Sequence, residues 1–144
     1  MSDRQTGNER ARIKSFLDSG APEQALRALS AAWAAKPSPS QANFIRSCLP
    51  DLADVLPLAE CRVAFLRSFT VEPLVPLLQA AAGLHGIDVV PWIGDFNAYP
   101  QEILDPASGL YAFDPQIAIL ASQSRDVAPD LWAQFAGLSE SEIT

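Results

Sequence analysis

Histidine is almost missing from this chain: His85 is the only one in 144 residues. Cysteine is nearly as scarce, with Cys48 and Cys61 alone. Two thiols without histidines at metal-ligand spacing do not make a zinc site, and they read as buried, unpaired side chains. His85 stands beside Gly83 and Gly86 at the end of a predicted helix, which suits a capping or solvent-facing role. Long apolar runs are absent as well. Proline or a charged residue interrupts each one before the roughly 18 residues needed to cross a bilayer, so no membrane partner is expected. The opening residues, Met1 to Glu9, carry acids and no apolar segment, unlike a secretory leader. The expected location is therefore cytoplasmic. No Gly-x-Gly-x-x-Gly follows the first predicted strand and no Gly-Lys-Ser/Thr loop occurs, which disfavours dinucleotides and P-loop nucleotides.

Positive charge is the last scarcity, and it is local. Residues 1–60 hold seven basic and seven acidic side chains, whereas residues 61–144 hold three basic and ten acidic. The whole formal charge of −7 therefore belongs to the second part. An acidic segment without a basic stripe repels a phosphate backbone, so nucleic acid is not an expected partner. The asymmetry also suggests two segments: a helical extension and linker over 1–60, and an α/β domain over 61–144.

What is present is a folded composition, 49% hydrophobic and 19% charged. At this length a core forms without disulfides or metal. An unstructured start through Asn8 is expected, then a short amphipathic helix from Glu9 to Leu17. A second helix is predicted from Pro22 to Trp33, burying Ala25, Leu26, Leu29 and Trp33. Ser38-Pro39-Ser40 restarts a third helix, with Phe44, Ile45 and Cys48 inward. This hairpin resembles a tetratricopeptide unit, but no second copy follows at a 34-residue period. The prolines at 50 and 57 mark residues 50–60 as a linker.

Beyond Cys61 the pattern changes. Val63-Ala-Phe-Leu66 is a short continuous apolar run, as in a parallel strand covered on both faces. A helix over 71–84 follows, with Pro76 delaying or kinking its start. Ile87 to Ile93 is a second strand, placed at an edge because Pro91 has no amide donor. After a weak helix through Leu104 and a turn or short helix over 110–113, Ile117 to Ala121 is the third strand. A last helix over 128–135 and a frayed Ser/Glu-rich end complete the pattern. Strand, helix, strand, connector, strand is the grammar of an open parallel sheet of three or more strands, and right-handed crossovers give the order 2-1-3.

In such sheets ligands bind beyond the carboxyl ends of the strands, where the order reverses. The sequence projects Arg67, Ser68 and Thr70 there from the first strand, Asp95 and Asn97 from the second, and Ser124, Arg125 and Asp126 from the third. Arg67 and Arg125 are two of the three basic residues after Glu60. Together with helix N-terminal amides they make an anion or carboxylate clamp; alternatively each pairs with a nearby acid and pins a loop. Ser68 stands where α/β enzymes keep a nucleophile, yet no base accompanies it. Ser68 and Thr70 otherwise suit helix N-caps.

The phrases Arg62-Val-Ala-Phe-Leu-Arg-Ser-Phe-Thr-Val-Glu-Pro-Leu74, Gly94-Asp-Phe-Asn-Ala-Tyr-Pro-Gln-Glu-Ile-Leu-Asp-Pro-Ala-Ser-Gly-Leu-Tyr-Ala-Phe-Asp-Pro115 and Ser124-Arg-Asp-Val127 resemble the N-terminal domain of FkbH-like proteins. The resemblance covers residues 60–133, and it implies an SGNH-hydrolase-like, flavodoxin-like fold. It also implies coupling to a downstream haloacid-dehalogenase (HAD) type domain. The implied activity takes a glyceryl group from a phosphorylated three-carbon intermediate, removes phosphate and loads the group on an acyl carrier protein in polyketide biosynthesis. The HAD Asp-x-Asp motif does not occur in this sequence, so Mg belongs to such a downstream domain and no cofactor is expected in this chain. Ser68 matches the SGNH serine loosely. Arg125 stands where that family has an asparagine, and the Asp-x-x-His block has no counterpart. The expected role is thus accessory binding of substrate or carrier, with carrier docking favoured around Arg10, Arg12 and Lys14. The alternatives are a serine esterase or acyltransferase, and a purely structural interaction domain.

Overall fold

The computed structural model describes residues 3–128. The expected helix over 128–135 and the Ser/Glu-rich end therefore lie outside the described residues. Three parallel strands, β1 (Ala59–Arg67), β2 (Ile87–Ile93) and β3 (Ile117–Ala121), form an open sheet in the order 2-1-3, flanked by helices and preceded by N-terminal helices. The strand assignments for β2 and β3 coincide with those expected, and β1 extends further in both directions. The chain divides into two compact units, residues 1–61 with 72–90, and residues 62–71 with 91–144.

The first unit is built from α1 (Asp3–Asp18), α2 (Pro22–Ala35), α3 (Pro39–Cys48) and α4 (Val75–Gly83). Each start has a local cause. Pro22 and Pro39 occupy first-turn positions, where their missing N–H is not needed. Ser38 caps α3, its Oγ accepting the N–H of Gln41 at 3.2 Å. Helix α1 begins at Asp3, earlier than the expected Glu9. Only Gly7 opposes helix there, at about 1 kcal/mol, and its surroundings are open.

Ile13, Leu29, Ile45 and Leu52 are fully buried together with Ala80 of α4, and Leu84, just past that helix, is buried in the same cluster. The stretch read as a linker is thus partly core. Residues Leu49–Leu52 form a 3-10 turn, and Val55 and Leu56 pack on the same cluster. Proline at 50 stops α3 without releasing the chain, because the apolar residues around it still have a surface to bury. Helix α4 starts at Val75, four residues later than expected, with Pro76 in its first turn. Gly86 turns the chain into β2 with φ +78°, a conformation strained for other residues.

In the second unit Val63, Ala64, Phe65 and Leu66 of β1 are all buried, as a central parallel strand requires. Val63, Phe65 and Leu66 each contribute about 1.5–3 kcal/mol of burial. Ala64 and Leu66 lie under Leu110, Trp92, Tyr99 and Phe113. The last three come from β2 and from the short helices α5 (Tyr99–Leu104) and α6 (Gly109–Phe113). Trp92 and Phe113 stack with ring centroids 6.2 Å apart. Strand β3 pairs with β1 in register, Val63 opposite Ile117 through Arg67 opposite Ala121.

The place of Pro91 follows from hydrogen-bond parity. Ala59 N–H donates to Gly86 O, and Gly94 N–H donates to Phe65 O. Even-numbered positions along β2 therefore turn their backbone groups toward β1, and Pro91 falls on the open side, where no donor is required.

Candidate functional site

Residues projected from the strand ends are drawn together by backbone geometry more than by charge. Arg67 closes β1, half-buried, and its Nε donates to Gly94 O at 3.0 Å. Its own carbonyl accepts the N–H of Asn97 at 3.0 Å. Asn97 takes a left-handed conformation, φ 58°, which asparagine tolerates better than most residues and which folds the β2 turn back onto β1. Arg67 therefore ties two strand ends together, and Asp95 and Asn97 stand exposed on that turn.

Ser68 ties the third. It is 3% exposed, its N–H donates to Ala121 O at 2.9 Å, and its Oγ accepts the N–H of Gln123 at 2.9 Å. The hydroxyl continues the β1–β3 ladder by one side-chain rung, at the point where β3 leaves the sheet. Neither Ser68 nor Thr70 caps a helix: α4 begins at Val75, and its cap position is Leu74, without a side-chain cap bond. The N-capping expectation is therefore corrected, because Glu72 to Leu74 form a turn before Pro76 permits helix. Thr70 is exposed, as are Ser124, Arg125 and Asp126 on α7 (Ser124–Val127), a single turn. His85 is exposed at the end of α4, its N–H donating to Ala82 O.

Several side chains that hold this unit were not singled out by sequence. Glu102, on α5, accepts the N–H of Leu110 through Oε2 at 3.0 Å, while Ser108 Oγ donates to Glu102 O at 2.8 Å. Tyr111 donates its hydroxyl to Ile103 O at 2.9 Å. Together they brace α5 against α6. At the other end of β1, Arg62 Nε donates to Asp114 O and Nη2 to Asp114 Oδ2, both at 2.8 Å. Gln116 Oε1 accepts Arg62 N–H at 2.7 Å. The signal for Glu102 was a carboxylate preceding a Ser-Gly helix start, and it becomes visible only when α5 and α6 are known to lie side by side.

Chemically, the strand-end cluster offers a half-buried guanidinium, a buried hydroxyl and a rim of exposed Thr70, Asp95, Asn97, Ser124, Arg125 and Asp126. Among the described residues no group of three or more His, Cys, Asp or Glu is placed to hold a metal ion, and no helix is long and apolar enough to cross a membrane.

The fold has a solved counterpart. The chain is similar to a crystal structure of the N-terminal part of the protein BF1531 from Bacteroides fragilis, described as containing a phosphatase domain and complexed with Mg. The TM-score is 0.50 at 18% sequence identity, over 70% of this chain and 25% of that one. The chain thus spans about a quarter of the counterpart's length, and the likeness is one of fold. No family model and no curated protein matches the sequence.

Proposed function

We propose that this chain is an accessory, N-terminal binding domain of an FkbH-like HAD-type protein, serving substrate or carrier recognition in the loading of a glyceryl unit onto an acyl carrier protein. The observation that carries the reading is the joint one: the three sequence phrases coincide with the strand-end turns of an open 2-1-3 sheet, in a fold shared with the N-terminal part of a phosphatase-containing protein. The engagement of Ser68 Oγ by a backbone amide supports a binding rather than a hydrolytic role for the turn. Phosphoryl chemistry and its Mg belong in this reading to a separate HAD domain.

On the N-terminal helices the basic side chains differ in availability. Arg10 lies over the Phe44 ring at 5.0 Å, and its Nη2 donates to Ser40 O and Oγ, so it is engaged within the unit. Arg12 and Lys14 are exposed and are the side chains this reading offers to an acidic carrier. The test is titration of the chain with its cognate carrier protein, alongside loading assays of the full-length enzyme with and without this region. Salt-sensitive binding weakened by Arg12→Glu with Lys14→Glu, and loading lost without the region, is the expected result. Undiminished loading without the region, and no carrier binding, would overturn it.

A further inference from the structure

The first unit contains a cavity of about 420 Å³, within the range of small-ligand pockets. It shares no residue with the strand-end turns and is independent of the function proposed above. Its wall is apolar, with Leu49 from the 3-10 turn, Leu58 from the approach to β1 and Ile87 from the start of β2. Leu58 and Ile87 remain 38% and 40% exposed, so apolar surface is left facing water in a concave setting.

Three polar side chains share that lining: Arg46 of α3, Gln79 of α4 and Asp88 of β2. The amide of Gln79 is fixed, because Nε2 donates to Val89 O at 3.0 Å, which leaves Oε1 as an oriented acceptor. Arg46 and Asp88 are exposed, and among the described residues neither is held in a hydrogen bond or ion pair. A cation, a carboxylate and a fixed acceptor thus border one apolar hollow.

Charge matching narrows the ligand. A nucleotide or other polyanion that satisfied Arg46 would bring its remaining charge against Asp88, and a fatty acid would cover Asp88 without pairing it. A zwitterion with an apolar body satisfies both: its carboxylate on the Arg46 guanidinium, its ammonium on Asp88 and Gln79 Oε1, its side chain against Leu49, Leu58 and Ile87. We propose that this cavity is a binding site for a free hydrophobic α-amino acid.

The test is calorimetric titration of the whole chain at neutral pH with leucine and phenylalanine, alongside N-acetyl-leucine and leucine amide, which each lack one charge. Saturable binding of the amino acids is expected, with both derivatives at least about tenfold weaker, a difference of about 1.4 kcal/mol. Arg46→Gln should weaken leucine about tenfold while leaving the amide unchanged, and Asp88→Asn should do the same toward the N-acetyl derivative. Both side chains are exposed, so the variants should fold, and circular dichroism verifies it. Absence of binding up to about 10 mM leucine or phenylalanine would overturn the proposal. So would binding whose preference among the derivatives is unchanged in both variants.

Discussion

Replacing Ser68 by alanine separates two uses of one hydroxyl. In the structure Oγ of Ser68, a residue only 3% exposed, accepts the N–H of half-buried Gln123 at 2.9 Å, so a methyl there leaves a part-buried backbone donor without its protein partner. A buried donor orphaned in this way costs about 1–3 kcal/mol. The neighbouring Ser68 N–H to Ala121 O bond is a backbone bond and survives, which places the expected loss in the middle of that range, about 2 kcal/mol. For a chain of this size each kcal/mol lowers the melting temperature by about 2–4 °C, so S68A should melt about 4–8 °C lower. Amide exchange gives the local reading. Protection at Gln123 should fall by about tenfold or more, since 1.4 kcal/mol is a factor of ten. Thr70→Ala, at an exposed hydroxyl two residues on, should stay within about 0.5 kcal/mol of the parent. A loss under about 0.5 kcal/mol with unchanged Gln123 exchange would refute the structural assignment. Labelling of the parent by a serine-directed phosphonate, abolished in S68A, would restore the nucleophile reading in its place.

Two further outcomes follow from packing and burial. A Cβ at Gly83 would stand 2.5 Å from Leu49 Cδ1, the end of a side chain that can shift, while alanine favours helix over glycine by about 1 kcal/mol, so Gly83→Ala should cost the first unit no more than about 2 kcal/mol in urea denaturation; the penalty should be smaller in a Leu49→Ala background than in the parent, because the clashing methyls are gone. The Cys48 thiol is pushed up from its usual 9.0, chiefly by burial, opposed by its hydrogen bond with Ser47. Its neutral form is the one the folded state prefers. The corresponding stability is fully present below the unfolded value near 9.0 and is lost as pH rises through the higher folded value. The denaturation midpoint should therefore fall above about pH 9 more steeply in the parent than in Cys48→Ala.

Much of the fold was legible because its signals are local. The continuous Val63-Ala-Phe-Leu66 run announces a strand buried on both faces, and all four residues are buried. Pro91 announces an edge, and the strand order places β2 there. Ser38-Pro39 announces a helix start, realised with the hydroxyl bond the motif needs. Where the reading failed, a local signal met a non-local surface. Residues 50–60 carry the prolines of a linker, but Leu52 is fully buried because the helices around it offer an apolar hollow. Ser68 and Thr70 looked like caps from their place after a strand. Prolines at 73 and 76 push the helix start to Val75, and Ser68 finds the amide of Gln123, just past β3, instead. Arg10 shows the same limit: a surface cation by sequence, it lies over Phe44, more than thirty positions away.

Composition, periodicity and punctuation, read alone, determined that this chain forms an open α/β sheet of order 2-1-3 behind a helical segment, and which residues the strand ends carry. These depend on side-chain alternation, on proline's missing donor and on the handedness of crossovers, all properties of the chain within a few turns of itself. Only the tertiary structure decided what those residues hold. Arg67 binds the β2 turn, and Ser68 binds the departing β3 strand. Arg46 and Asp88, forty-two positions apart, border one cavity. A hydrogen bond a few ångströms long is settled by where two distant backbones come to rest, and that position is a property of the packed core rather than of any stretch of sequence.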